Sequence, residues 1–248
     1  TEYSGILDGN GHTVTNPQKT TAGFRTGWIS ILTNGTIKNL KIADINFQAR
    51  HASVEIGFIG EASGSCTIDS CVILSGQFSN TDLLPSVGSF VGVALGNLTM
   101  KNCVNMASVS AISDTGGWSY ASGMIGGYAY FQTADSSGNT TVKISHCLNL
   151  GSIYAEAGGT DSAIAAGISS SYNDNSRINI TITDCGNGGE ISAKHRETSS
   201  YAVASALSPQ YSGVSGYATQ KYNNDSNKSY LSIVSRDTLL SMWSDVLN

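Results

Sequence analysis

The chain has 248 residues and a formal net charge of −5, from 13 Lys+Arg against 18 Asp+Glu; 12% of its residues are charged and 40% apolar. Low charge with this apolar content excludes intrinsic disorder, and mild acidity without Lys/Arg clusters excludes a nucleic-acid binder that tracks phosphates. No apolar run approaches the ~20 residues of a membrane-crossing helix, so no membrane span is expected.

The sequence opens on Thr1 without an initiator Met or a signal-peptide pattern, which reads as a processing or cloning boundary. From there a repeat organises the chain. Gly35-Thr-Ile-Lys-Asn-Leu40-Lys-Ile is followed by Cys66-Thr-Ile-Asp-Ser-Cys71-Val-Ile, Leu98-Thr-Met-Lys-Asn-Cys103-Val-Asn, Val142-Lys-Ile-Ser-His-Cys147-Leu-Asn and Ile180-Thr-Ile-Thr-Asp-Cys185-Gly-Asn. The anchors 40, 71, 103, 147 and 185 are 31, 32, 44 and 38 residues apart. Before the later anchors lie runs of small and apolar residues, Ile56–Gly60, Val87–Gly92, Ser122–Gly126 and Ala166–Ser169. After the anchors comes another apolar position, at Ile45, Phe78, Val109, Ile153 and Ile191. Each period therefore holds three short strand-like pieces without helical periodicity.

Three strands per period predict an all-β fold, a right-handed parallel β-helix (solenoid) of about six coils over residues 1–235. Each strand would pair with its equivalent one coil on, at about 4.8 Å, stacking equivalent residues into columns. Ile37, Ile68, Met100, Ile144 and Ile182 form one such column; Leu40, Cys71, Cys103, Cys147 and Cys185 form another, and both are interior by composition. A tandem β-sandwich is the alternative, and it would need hairpin alternation. The longer periods read as loop insertions, chiefly 112–121 and 129–141.

The five Cys are expected to be free thiols in a core ladder, since buried Cys behaves as a small hydrophobe. No Cys-x-x-Cys pair is present, and no metal site or cofactor is expected. Asn105, Asn149 and Asn187 follow successive anchors by two residues and are read as a stacked amide ladder. Six Asn-x-Ser/Thr sequons occur among 19 Asn, close to what chance supplies, and carry no argument for glycosylation.

β-Helices also carry polysaccharide lyases and hydrolases, whose chemistry needs clustered carboxylates. The column one residue before the anchor reads Asn39, Ser70, Asn102, His146, Asp184, so His146 and Asp184 are the catalytic candidates, as base and orienter. No nucleophile or second carboxylate shares their place. Lys38, Asp69 and Lys101 in the preceding column are read as cross-strand charge pairs. For binding, the candidates are Trp118, Tyr120, Tyr128, Tyr130 and Phe131, in or beside the two insertions, because exposed rigid rings stack on sugars and anchor interfaces.

At the C-terminus, Tyr230–Ser235 reads as a last strand. Residues 236–248 read as an amphipathic helix, N-capped by Ser235 or Asp237, whose Leu239, Leu240, Trp243 and Leu247 cap the open end of the core. No corresponding cap precedes Thr1, so the chain reads as a piece of something longer.

The opening Tyr3-Ser-Gly-Ile-Leu-Asp-Gly-Asn-Gly-His-Thr-Val14, then Gly27-Trp-Ile-Ser-Ile and Asn34-Gly-Thr-Ile-Lys-Asn-Leu40, carries a pattern that continues through the later Gly-φ-φ-Gly … Cys-x-Asn units. Over residues 3–210 it resembles the GLUG-type repeats of right-handed parallel β-helix proteins, found in bacterial surface adhesins and in non-catalytic regions of some secreted peptidases. Trp28 and Ser30 depart from the small and apolar residues of that pattern. The resemblance implies an extracellular, cell-attached or secreted module. A glycan or surface protein is the expected partner, with self-assembly through coil ends. The expected function is non-catalytic adhesion or surface assembly. The alternatives are a carbohydrate-active β-helix enzyme and a viral tail-fibre segment, which would be a stable homotrimer.

Overall fold

A computed structural model describes residues 2–20, 24–50, 55–114, 117–127, 140–171, 178–197, 201–209, 214–225 and 231–247. Among the described residues the fold is all-β apart from one helical segment at the C-terminus. Every strand pairing among the described residues is parallel. The hairpins of a β-sandwich are not among them.

The strands fall into four sheets, and within each sheet neighbours come from successive repeats. Ile37, Ile68, Met100, Ile144 and Ile182 stack in register as expected; Leu7 extends the column at one end and Val214 at the other. Cys66, Leu98, Val142 and Ile180 stack beside it. The five members from Ile37 to Ile182 are at most 1% exposed, and each buried aliphatic side chain contributes roughly 1.5–3 kcal/mol. All five Cys are free and buried.

A repeat holds more strands than three. The segment leading to the anchor bends and continues, as in Ser65–Asp69 and Val72–Ile73. Gly76–Asp82 follows, and the small-residue run splits into two strands, as in Glu55–Ile56 and Ile59–Ser63. The bend is built by Asn39, Ser70, Asn102, His146 and Asp184, all left-handed with φ between 49° and 54°. Such backbone is strained for residues with a Cβ, and Asn, Asp and His adopt it most readily. The ladder still passes through it: the backbone N–H groups of Asn39, Ser70, Asn102 and His146 each donate to a carbonyl one repeat on, at 3.1–3.2 Å.

The anchor Cys follows from this bend. The thiols of Cys71, Cys103, Cys147 and Cys185 donate across it to the carbonyl two residues earlier, at 3.1–3.3 Å. Burial pushes the Cys147 thiol well above its ordinary pKa. Two residues past the anchor, the Asn ladder forms as read: Asn105 Nδ2 donates to Asn149 Oδ1 at 2.9 Å, and Asn149 Nδ2 to Asn187 Oδ1 at 2.8 Å. Each amide also donates to its own turn, at Ala107, Gly151 and Gly189.

Three expectations are corrected. The column after the anchors runs through Phe47, Phe78, Val109, Ile153 and Ile191, while Ile45 stands opposite Gly76. Gly76 has φ 117°, and a Cβ there would lie 2.1 Å from the Ile45 carbonyl oxygen, so only Gly fits. Of residues 112–121, Ile112, Ser113 and Ser119–Ala121 belong to strands that continue two ladders in register with their neighbours. Of residues 129–141, Thr140 and Thr141 already belong to the strand Thr140–Ser145.

Candidate functional site

The C-terminal helix does not close the end of the core. α1 (Arg236–Met242) and α2 (Ser244–Leu247) lie along the side of the anchor sheet. Ser235 is the N-cap, its hydroxyl accepting the Thr238 N–H at 3.1 Å. Leu239 and Trp243 are buried on the outward residues Val72, Val104 and Leu148 of successive repeats, with Val246 and Leu247 beside them. Leu240 lies outside that cluster, and Leu247 is only half-buried. These outward positions alternate with the inward Ile73, Asn105 and Asn149, giving the sheet a second apolar face for an amphipathic helix to cover. The column continues to Gly186, where a Cβ would come within 2.7 Å of the Trp243 ring. Glycine here makes the seat for the indole.

This placement decides the fate of His146. Its ring stacks on Trp243, centroids 5.0 Å apart, and its Nε2 lies 3.6 Å from Asp245 Oδ1. Asp184 follows it in the bend column, as the register requires, but the carboxylate facing the imidazole belongs to Asp245. The two sequence candidates are neighbours in a structural bend, with His146 half-covered by the helix.

Beyond α2 the bend column opens into a lateral groove of about 350 Å³. It is lined by the left-handed bends at Asn39, Ser70 and Asn102, by Asn10, Gly11, Lys41 and Val72, and by Asp245 and Val246 of α2. The Asn side chains are held from behind. Asn39 Nδ2 donates to Asp8 Oδ1 at 3.0 Å and Asn102 Nδ2 to Asp69 Oδ1 at 3.1 Å. Lys38 pairs with Asp8 and Lys101 with Asp69, both at 3.1 Å. The Asn39 amide, the Asn10 N–H and Lys38 hold the Asp8 carboxyl at a pKa of about 2. Asp69 is likewise held below its ordinary value: desolvation opposes this, and hydrogen bonds from Lys101, Ser70 and Asn102 outweigh it. The Lys38–Asp69–Lys101 column is thus cross-strand pairing, except that Lys38 takes Asp8. Lys41 makes no ion pair among the described residues.

Of the aromatic candidates, Tyr128, Tyr130 and Phe131 lie outside the described residues. Trp118 and Tyr120 are half-buried and stack on each other, centroids 6.0 Å apart and planes 7° from parallel. Tyr120 belongs to a ladder strand, opposite Ser86 and Ile164. Its ring lies over Gly127, where a Cβ would be 2.3 Å from Tyr120 Cγ.

One charged cluster escaped the column reading. Glu55 and Glu61 are 3% and 5% exposed. Arg25 stands beside Glu55 in register and its Nε pairs with Glu61. Burial pushes the Glu55 carboxyl up to about 7, against the pull of Arg25, and burial likewise raises Glu61. The available signal was two Glu within an otherwise small and apolar run, with an Arg one repeat earlier at the register of Glu55.

No family model matches the chain, and no curated protein matches it. Among solved structures it is similar to one from Bacteroides ovatus described as a "putative immunoglobulin A1 protease", with TM-score 0.56 and 16% identity over 96% of this chain and 71% of that one. At that identity the likeness is one of fold.

Proposed function

We propose that the chain is a right-handed parallel β-helix of about six coils, of the GLUG-repeat kind, serving as a non-catalytic extracellular module for cell-surface adhesion or surface assembly. The observation that carries this reading is how the polar residues at the bends are used. Asp8, Lys38, Asp69, Lys101 and the Asn amides pair from repeat to repeat, and His146 is engaged by Trp243 and Asp245. This stiffens a stacked body and leaves its lateral surface to make contacts. Loops and bends on a rigid scaffold are the usual place for binding residues.

The test is saturable binding of the labelled protein to host and bacterial cells, run beside a polysaccharide panel assayed for reducing ends and unsaturated sugars. Binding without turnover is the expected result. Turnover that disappears in His146→Ala would overturn the reading.

A further inference from the structure

We propose that the groove beside α2 is a saccharide site that takes one neutral sugar ring of a glycan; this rests on the adhesion reading and gives it a place. Its volume of about 350 Å³ lies within the range of small-ligand sites. Hydroxyl groups both donate and accept, so a sugar is recognised by mixed polar groups around a small apolar patch. The groove supplies that mixture: amide oxygens from Asn39 and Asn102, a hydroxyl from Ser70, an ammonium from Lys41, a carboxylate from Asp245, and the half-buried Val246 for the C–H face of the ring. The Asp8 and Asp69 carboxylates each take one amide N–H, which orients Asn39 and Asn102 with their oxygens left to accept. Little side-chain freedom remains to be lost on binding. The bends follow one another at strand spacing, about 4.8 Å, which suits hydroxyls two carbons apart on a pyranose. Lys41 and Asp245 balance in charge, which favours a neutral ring over a uronate.

The experiment is a titration of ¹⁵N-labelled protein with methyl α-mannoside, methyl β-galactoside, methyl β-N-acetylglucosaminide and, separately, glucuronate, at millimolar concentration. A neutral glycoside is expected to shift the amide resonances of Asn39, Ser70, Val72, Asn102 and Asp245 saturably. The double variant Asn39→Gly with Asn102→Gly keeps the left-handed backbone and should weaken binding about tenfold or more. Lys41→Ala, which leaves the bends untouched, should weaken it in the same direction. Shifts with glucuronate only, or none at the groove with any neutral glycoside, overturn the proposal. Shifts confined to Trp118 and Tyr120 also overturn it, yet leave the adhesion reading standing. Groove binding by a protein that fails to bind cells would separate the two readings the other way.

Discussion

Trp243 lies flat on His146, their planes 15° from parallel, and its indole N–H donates to the backbone carbonyl of the same residue at 3.0 Å. Ring and carbonyl together fix where the C-terminal helix sits along the sheet. Gly186 leaves the space, and Tyr217 closes it edge-on with its ring centroid 6.3 Å away.

Trp243→Ala should therefore undock the helix. Truncating a fully buried Trp costs about 3–5 kcal/mol, and here the loss falls on one local unit. Amide hydrogen exchange across Arg236–Leu247 is expected to rise to surface rates while the strands carrying Cys103 and Cys147 stay protected. Equal loss of protection in both would show that the helix is integral to the ladder.

The Asn ladder supports a second prediction. Asn149 both donates to Asn187 and accepts from Asn105, and it is fully buried. Asn149→Ala strips a partner from each neighbour, at about 1–3 kcal/mol for each group left short. Exposed Asn179→Ala, in a strand of the same sheet, should change stability by less than about 0.5 kcal/mol. Urea unfolding of the two variants checks this, and equal midpoints would mean that the ladder contributes nothing.

How much of this was legible follows from what a column can encode. In parallel sheets equivalent residues stack directly, so Ile37 through Ile182 and Cys71 through Cys185 could be read from spacing alone. The bend column was read correctly as a column, but the reason for its polarity was not. Asn39, Ser70, Asn102, His146 and Asp184 are polar because a left-handed backbone selects such residues, and shared backbone strain resembles shared chemistry. The helix seat was hidden because Val72, Val104 and Leu148 occupy two-residue strands, too short for alternation to show which side faces out. Glu55 and Glu61 occur in one repeat only, and a column argument is blind to a single event.

Tyr120 separates packing from ligand contact. Its sequence neighbourhood suggested a projecting loop, yet it sits in a ladder strand with its ring over Gly127. Tyr120→Ala should cost about 1–3 kcal/mol through lost burial and the lost stack on Trp118. Tm should fall by several degrees, with cell binding retained at temperatures where the variant is folded. An unchanged Tm with lost binding would restore the ring as a ligand contact.

The Glu55 carboxyl makes stability depend on pH with a definite sign. Its pKa rises on folding from 4.5 to about 7, so the native state holds the proton more tightly than the unfolded chain does. The corresponding stability is fully present below pH 4.5, is lost as pH rises through about 7, and stays lost above that. A shift of this size corresponds to about 3 kcal/mol. Glu61, raised by the same burial, acts in the same direction. Glu55→Gln keeps the shape and removes the titration, so the variant should match the parent near pH 4.5 and exceed it in stability by a few kcal/mol at pH 8. Denaturant unfolding of both proteins across this range gives the difference curve directly. It should climb through the interval from about pH 4.5 to 7 and then level off. A flat curve would mean that Arg25 neutralises Glu55 in the native protein. A curve of opposite slope would mean that the charged form is the one the fold prefers.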